Sequence, residues 1–366
     1  MKRRDFIKGA GVASAATAAA VSFPKPALSQ GIKQIKMVTT WPKNFPGLGT
    51  TASRLANRIT SMSGGSLTVK VFAANELVPA FESFDAVSSG TADMYHAAEY
   101  YWQGKSKAFN FFAAVPYGLT ATEQSAWINH GGGQQLWDEV GKQFGIKSFM
   151  AGNTGVQMGG WFNKEVNSLE DYKGLKIRMP GLGGEVLRRI GAAAVSLPGG
   201  EIFPALQSGA IDATEWVGPW NDLAFGFYKV TKYYYYPGFH EPGTTLSSSM
   251  NLKTWEGLSS EHKAIVQAAM SAENDVALAE FNARNNGALT TLINKHKVKV
   301  RKFSNGVMNA IGKASGEVVA EAGASDKITG KVYDSFRNFR KESIAWSKLS
   351  DQAYWEARLL PFKYGK

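Results

Sequence analysis

Apolar side chains recur along this chain with two alternating periods. In Ile35-Lys-Met-Val-Thr-Thr40 and in Ser66-Leu-Thr-Val-Lys-Val-Phe72 they fall at every second position, the period of a half-buried strand. Between them Leu48, Ala52, Leu55 and Ile59 fall on one face of a helix over 47–62, which Gly64-Gly65 ends. A short helix over 80–89 and a strand over 92–101 complete a β-α-β-α-β order, which predicts a parallel sheet. The pattern restarts near residue 146. Strands are predicted at 146–151, 161–162, 175–179, 193–197 and 210–216, with helices at 184–191 and 202–208. Segments 246–252 and 297–303 read as strands returning to these two sheets. A helical stretch over 259–286 meets Gly287, and the chain beyond 313 is mostly helical. The expected fold class is α/β, two-lobed, with the chain crossing between lobes and a cleft at their junction, where small ligands usually sit.

The first residues do not belong to this pattern. Lys2, Arg3, Arg4 and Lys8 precede a small-residue apolar run over 9–23, and Pro24-Lys-Pro-Ala-Leu-Ser-Gln30 follows. This reads as a twin-arginine export signal over 1–29, cut after Ser29. Its apolar run falls short of the ~20 residues of a membrane span. The leader carries about +4 of the formal +11, which leaves a mildly basic remainder. Lys and Arg are scattered over that remainder rather than massed with exposed aromatics, which speaks against a nucleic-acid partner. A modest positive field favours small anions in a cleft. The chain has 366 residues and no cysteine, which excludes a thiol nucleophile, a Cys-held metal and a disulfide framework.

Familiar catalytic motifs are missing their context. Gly47-Leu-Gly49-Thr-Thr-Ala52 fits G-x-G-x-x-A but stands too far from its strand and lacks the acid about twenty residues on. Gly131–133 and Gly181-Leu-Gly-Gly184 read as turns and helix starts. His96, His130, His240, His262 and His296 have no metal spacing and read as structural, the last two on surfaces. No enzymatic cofactor is expected, and an exported cofactor enzyme is the weaker reading.

Other segments are less ordinary. Asn153-Thr-Gly-Val-Gln157-Met-Gly-Gly-Trp161 joins uncharged hydrogen-bonding side chains to glycines that allow close approach. Leu175-Lys-Ile-Arg178-Met-Pro180 puts a guanidinium in an otherwise apolar strand. Buried there, it needs an anion, and its fork suits a carboxylate. That anion is either a ligand arriving from outside or a carboxylate of the same chain in an internal salt bridge. Asp212-Ala-Thr-Glu215-Trp216-Val-Gly-Pro219 sets acids and an indole at a strand end, the usual ligand position of α/β sheets. Glu99-Tyr-Tyr-Trp102 and Tyr233-Tyr-Tyr-Tyr236-Pro-Gly238 read as aromatic walls carried on loops.

Asn153–Trp161, Gly174–Arg178, Ile211–Pro219 and Tyr233–Gly238 closely resemble the solute-binding subunits of tripartite ATP-independent periplasmic (TRAP) transporters, in the branch that binds α-keto acids. The resemblance runs over nearly the whole chain and implies a periplasmic binding protein fold with a long connecting helix and a C-terminal helical extension. It implies lobe I over 30–150 with a return near 245–275, lobe II over 151–240 with a return near 276–310, and an extension over 311–366 that suits a homodimer. By resemblance Arg178 and Asn153 hold a substrate carboxylate. Gln157, Glu215 and the Trp216 carbonyl match the ligands of a sodium or calcium ion, all oxygen donors. Tyr100, Tyr101 and Glu241 match the pocket wall, although Phe239-His240-Glu241-Pro242 departs from the branch's usual Trp-Trp-Glu-Gly. The implied protein is no enzyme. It captures a pyruvate- or lactate-like acid in the periplasm and passes it to membrane subunits. A receptor feeding a sensor kinase is the other reading this sequence allows.

Overall fold

The computed structural model describes residues 33–365, so the leader lies outside the described residues. Its strands are β1 (Lys33–Thr39), β2 (Leu67–Phe72), β3 (Met94–Ala97), β4 (Ile146–Asn153), β5 (Gly160–Phe162), β6 (Lys176–Arg178), β7 (Ala193–Val195), β8 (Ala213–Thr214), β9 (Tyr233–Tyr236), β10 (Thr245–Asn251) and β11 (Lys299–Lys302). They form one sheet of order β2-β1-β3-β10-β4 and another of order β11-β9-β5-β8-β6-β7. The fold is α/β and two-lobed, and the chain changes sheet after β4, before β10 and again between β10 and β11.

The first sheet follows from its alternation. β1 pairs in parallel with β2 and β3, and β10 runs antiparallel between β3 and β4. β3 is shorter than its pattern predicts. Glu99–Trp102 forms a 3₁₀ turn instead, because the buried Glu99 carboxylate accepts from Tyr95 Oη at 2.8 Å and Trp137 Nε1 at 2.7 Å. In the second sheet Tyr233–Tyr236, expected as a loop, is an inner strand between β11 and β5. Both its faces are covered. Tyr234 stacks on Trp161 at 4.0 Å and Tyr235 on Phe303 at 4.7 Å. An unbroken aromatic run is what a strand buried on both faces requires.

The last crossing uses the helix Ser260–Asn294, 35 residues long. It does not stop at Gly287. That residue faces solvent, and the ~1 kcal/mol a helical glycine costs is offset by burial of the next residue, Ala288, and of Leu292 one turn beyond it. His262, expected on a surface, is buried in its first turn and meets Ser66 Oγ at 2.9 Å. The C-terminal segment is not detached either. Helix Lys327–Ser347 packs on the first lobe, where Phe336 meets Phe111 and Trp127. Only from Trp346 onward are its large apolar residues exposed.

Candidate functional site

Register brings the charged pair together. β6 and β8 are parallel neighbours, with Arg178 opposite Thr214. The next residue after Thr214 is Glu215, whose N–H donates to the Arg178 carbonyl at 3.2 Å. Both side chains therefore stand at the carboxyl end of one sheet. Arg178 is 1% exposed and Glu215 also 1%.

Two sheet-crossing segments supply the opposite wall. The stretch after β4 and the stretch before β10 run against each other. Thr154 N–H donates to the Thr244 carbonyl at 3.1 Å and Gln157 N–H to the Glu241 carbonyl at 3.2 Å. Gly238 permits the approach, since a Cβ there would stand 2.6 Å from the Gln157 carbonyl oxygen. The two segments thus carry Asn153, Thr154, Gln157, His240, Glu241 and Thr244 to one place.

The side chains interlock. Gln157 Nε2 donates to Glu241 Oε2 at 2.7 Å, Tyr100 Oη donates to the same oxygen at 3.5 Å, and Thr244 Oγ1 also donates to it. His240 Nε2 stands 3.3 Å from Glu215 Oε2 and 4.0 Å from Glu241 Oε1. A small cavity of about 10 Å³ lies between these elements. Tyr100, Tyr101, Thr154, Gln157 and Thr244 give it a polar side, and Trp41, Leu48, Trp216 and Leu246 an apolar one. A volume of this order holds about one water, so a small organic ligand requires the walls to move apart.

Arg178 departs from one expectation. Its Nη1 pairs with the Glu215 carboxylate and donates to the Glu215 carbonyl at 3.1 Å, so a counter-charge comes from the same chain. Of the two partners the sequence left open, the internal salt bridge is present, and a guanidinium waiting with no counter-charge is not. The physical reason is the parallel register, which sets the two residues side by side in a water-free place. The fork is not used up. Nε donates to the Leu197 carbonyl at 3.2 Å, while Nη2 has one long contact, 3.4 Å to Tyr101 Oη on the cavity wall. The guanidinium also lies 5.0 Å from the centre of the Trp216 ring.

The electrostatics follow from burial. Desolvation pushes the Glu241 carboxyl up to about 7, and the neighbouring Glu215 charge pushes the same way. Desolvation opposes charge on Arg178 and on His240, yet both are raised, Arg178 by the Glu215 charge and His240 by its hydrogen bond to that carboxylate. Tyr101 is pushed up to about 12, first by burial, so it stays a neutral hydroxyl.

Several buried polar atoms here find no partner among the described residues: Asn153 Nδ2, Gln157 Oε1, Trp216 Nε1 and His240 Nδ1. Buried polar groups are nearly always paired, so orphans around this site, with Gln157 and Trp216 on the cavity's own lining, mark a place built for something else. Asn153 Oδ1 accepts from Gly155 N–H at 2.9 Å, which holds the side chain and leaves its amide donor over. Gln157 Oε1 and two carboxylates are oxygen donors of the kind a hard cation takes, so the residues present fit such an ion. Sequence reasoning did not single out Thr154, Thr244 or the cavity residues Trp41, Leu48 and Leu246, and it treated His240 as structural. Thr154 lies inside a segment it did single out. The others carry no local signal, because crossing segments from distant parts of the chain bring them in.

The profile of bacterial extracellular solute-binding proteins, family 7 (DctP), matches residues 37–326. The chain belongs to this family. A monocarboxylate 2-oxoacid-binding periplasmic protein of Nostoc sp. strain PCC 7120 is 40% identical over 358 residues, 97% of this chain and 98% of that protein. The structure of a TRAP periplasmic solute-binding protein of Pseudoalteromonas atlantica T6c, with bound sodium and pyruvate, is 42% identical and superposes with a TM-score of 0.86 over 90% of this chain and 99% of its own. A TRAP transporter solute-binding protein of Bordetella bronchiseptica RB50 is 36% identical, with a TM-score of 0.88 over 90% of this chain and 97% of its own. It is a mixed-occupancy dimer with copurified calcium and picolinate in one active site, the other being apo. This DctP-family chain is therefore a TRAP solute-binding protein, of an extracytoplasmic family of receptors.

Proposed function

We propose that this receptor captures a small 2-oxo or 2-hydroxy monocarboxylate, pyruvate- or lactate-like, together with a bridging cation, and hands it to the membrane subunits of a TRAP transporter. The observation that carries the reading is the half-used guanidinium. Arg178 Nη2 faces the cavity wall at Tyr101, and Gln157 Oε1 remains without a partner nearby. In this reading Arg178 Nη2 and Asn153 Nδ2 donate to the acid's carboxylate. Tyr100 and Tyr101 line it and exclude water. Glu215, Gln157 and the Trp216 carbonyl hold the cation, with Glu241 as a further wall. The cation's contribution is to bind the 2-oxo or 2-hydroxy oxygen beside the carboxylate, which a plain fatty acid lacks. Capture is the whole of the activity, with no chemical step.

In the same reading residues 1–29 are a twin-arginine leader and the receptor works in the periplasm. The lobes close over the acid about the crossing segments, lobe I being 30–150 with its return and lobe II 151–240 with its return. A homodimer forms through the C-terminal end.

Calorimetry tests the reading. Pyruvate titrated into chelator-treated protein should bind one per chain once sodium or calcium is restored. Glu215→Gln should weaken cation-dependent binding about tenfold or more, equivalent to ~1.4 kcal/mol. Equal affinity for wild type and variant across the cation titration would refute the cation role. Absence of binding by every small 2-oxo and 2-hydroxy acid would refute the whole reading.

A further inference from the structure

We infer that Phe45 is a positioning residue of this receptor: from one lobe it clasps aromatic side chains of the other, and this clasp sets how fast a captured acid leaves. This rests on the proposed capture of a pyruvate-like acid and names the contact that keeps the lobes shut over it. Phe45 lies in the first lobe, on the loop between β1 and the helix Gly49–Met62. Its ring stacks at 4.2 Å on Phe225, the last residue of the helix Pro219–Phe225 in the second lobe. It also meets the Trp216 ring edge-on at 6.3 Å, and Trp216 in turn meets Phe225 at 5.2 Å. The indole has little room to retreat, because a Cβ on Gly199 would stand 2.6 Å from it.

The loop that carries Phe45 is also a wall of the cavity. Trp41 and Leu48, at its two ends, line the cavity together with Trp216. Backbone hydrogen bonds fix the shape of the loop. Phe45 N–H donates to the Pro42 carbonyl at 3.1 Å, and Thr50 N–H donates to the Phe45 carbonyl at 3.0 Å. Phe45 therefore cannot leave the second lobe without carrying Trp41 and Leu48 with it. The rest of the loop sits equally close. Asn221 Nδ2 donates to the Pro46 carbonyl at 3.1 Å, and a Cβ on Gly47 would stand 2.9 Å from Trp220. The cavity holds about one water, so an acid enters or leaves only when these walls part. Parting them breaks the stack, which buried area and ring geometry both resist.

The test uses the mature protein loaded with pyruvate and calcium, with release followed by tryptophan fluorescence in a stopped-flow chase. Phe45→Ala and Phe225→Ala should each speed dissociation about tenfold or more without slowing association. The double variant should be little faster than either single one, since each removes the same contact. A side chain that only supported the fold would leave dissociation unchanged, whatever it did to unfolding. The chain has no cysteine, so nitroxides on Lys70→Cys in the first lobe and Asn167→Cys in the second report the separation of the lobes by pulsed electron paramagnetic resonance. In ligand-free protein Phe45→Ala should move that distribution to longer distances. Dissociation unchanged in both single variants, or an unchanged distribution, overturns the inference. Phe225→Ala decides from the other lobe if Phe45→Ala does not fold. A wild type that binds no pyruvate sinks the reading beneath, and the lobe separation then decides the clasp alone.

Discussion

At the scale of residues, the site turns on how Arg178 divides its donors. One arm neutralises Glu215 and the other reaches the cavity wall. Removing the side chain therefore has two effects that can be measured apart. Arg178→Ala is expected to abolish detectable pyruvate binding in calorimetry. It also strands the buried Glu215 carboxylate, so urea unfolding should show a loss of ~3–5 kcal/mol. Arg178→Lys keeps a charge without the fork. It should recover most of the stability and little of the binding. Pyruvate affinity unchanged in either variant would remove Arg178 from the site. The residue types were legible in sequence, because a guanidinium between Ile177 and Met179 is conspicuous. That Glu215 stands beside it was not legible, since 37 residues separate them and only strand register joins them.

At the scale of elements, periodicity located most strands and helices and failed where burial is two-sided or a helix is propped from outside. β9 carries aromatics on both faces and shows no alternation to read. The helix Ser260–Asn294 runs through Gly287 because tertiary contacts at Ala288 and Leu292 support it. A buried acid ties such elements to the site. Asp222 Oδ2 accepts from Trp161 Nε1 at 2.9 Å and Tyr234 Oη at 2.6 Å, and Oδ1 accepts from Val217 N–H at 3.2 Å. It thereby joins β5 and β9 to the turn that carries Trp216. Burial pushes this carboxyl up to about 7 from an ordinary value of 3.8. Between those values the folded protein holds more protons at Asp222 than the unfolded chain does. Its contribution to stability is therefore present at low pH and is lost as pH rises through that window. Unfolding free energies from pH 4 to pH 8 should fall more steeply for wild type than for Asp222→Asn, by one to a few kcal/mol over the window (~1.4 kcal/mol per pKa unit). Parallel profiles would show that Asp222 is ionised throughout.

At the scale of the molecule, the two sheets share a chain that crosses between them three times, and the site lies on two of those crossings. In the proposed reading binding and lobe closure are coupled through the same residues, Gln157 and Glu241 among them. For the C-terminal end we propose a different task, dimerisation. Trp346, Leu349, Leu359, Leu360 and Phe362 are all more than half exposed, a run of apolar surface that a second copy would cover. Light scattering behind gel filtration should give a dimer for the mature protein. Leu349→Ser with Leu359→Ser should shift it toward monomer while pyruvate binding persists. A monomeric wild type would overturn the dimer.

The sequence by itself determined the α/β class, the existence of two sheets and the kinds of side chain at the site, because these follow from short-range periodicity and from polar residues set in apolar strands. Tertiary structure alone decided that Glu215 shares Arg178, that His240 meets Glu215, and that Thr154 and Thr244 face one cavity. Those pairings depend on strand register and on the meeting of crossing segments about 90 residues apart, such as Thr154 and Thr244. No local period encodes such a meeting; the crossing of the chain between two sheets fixes it.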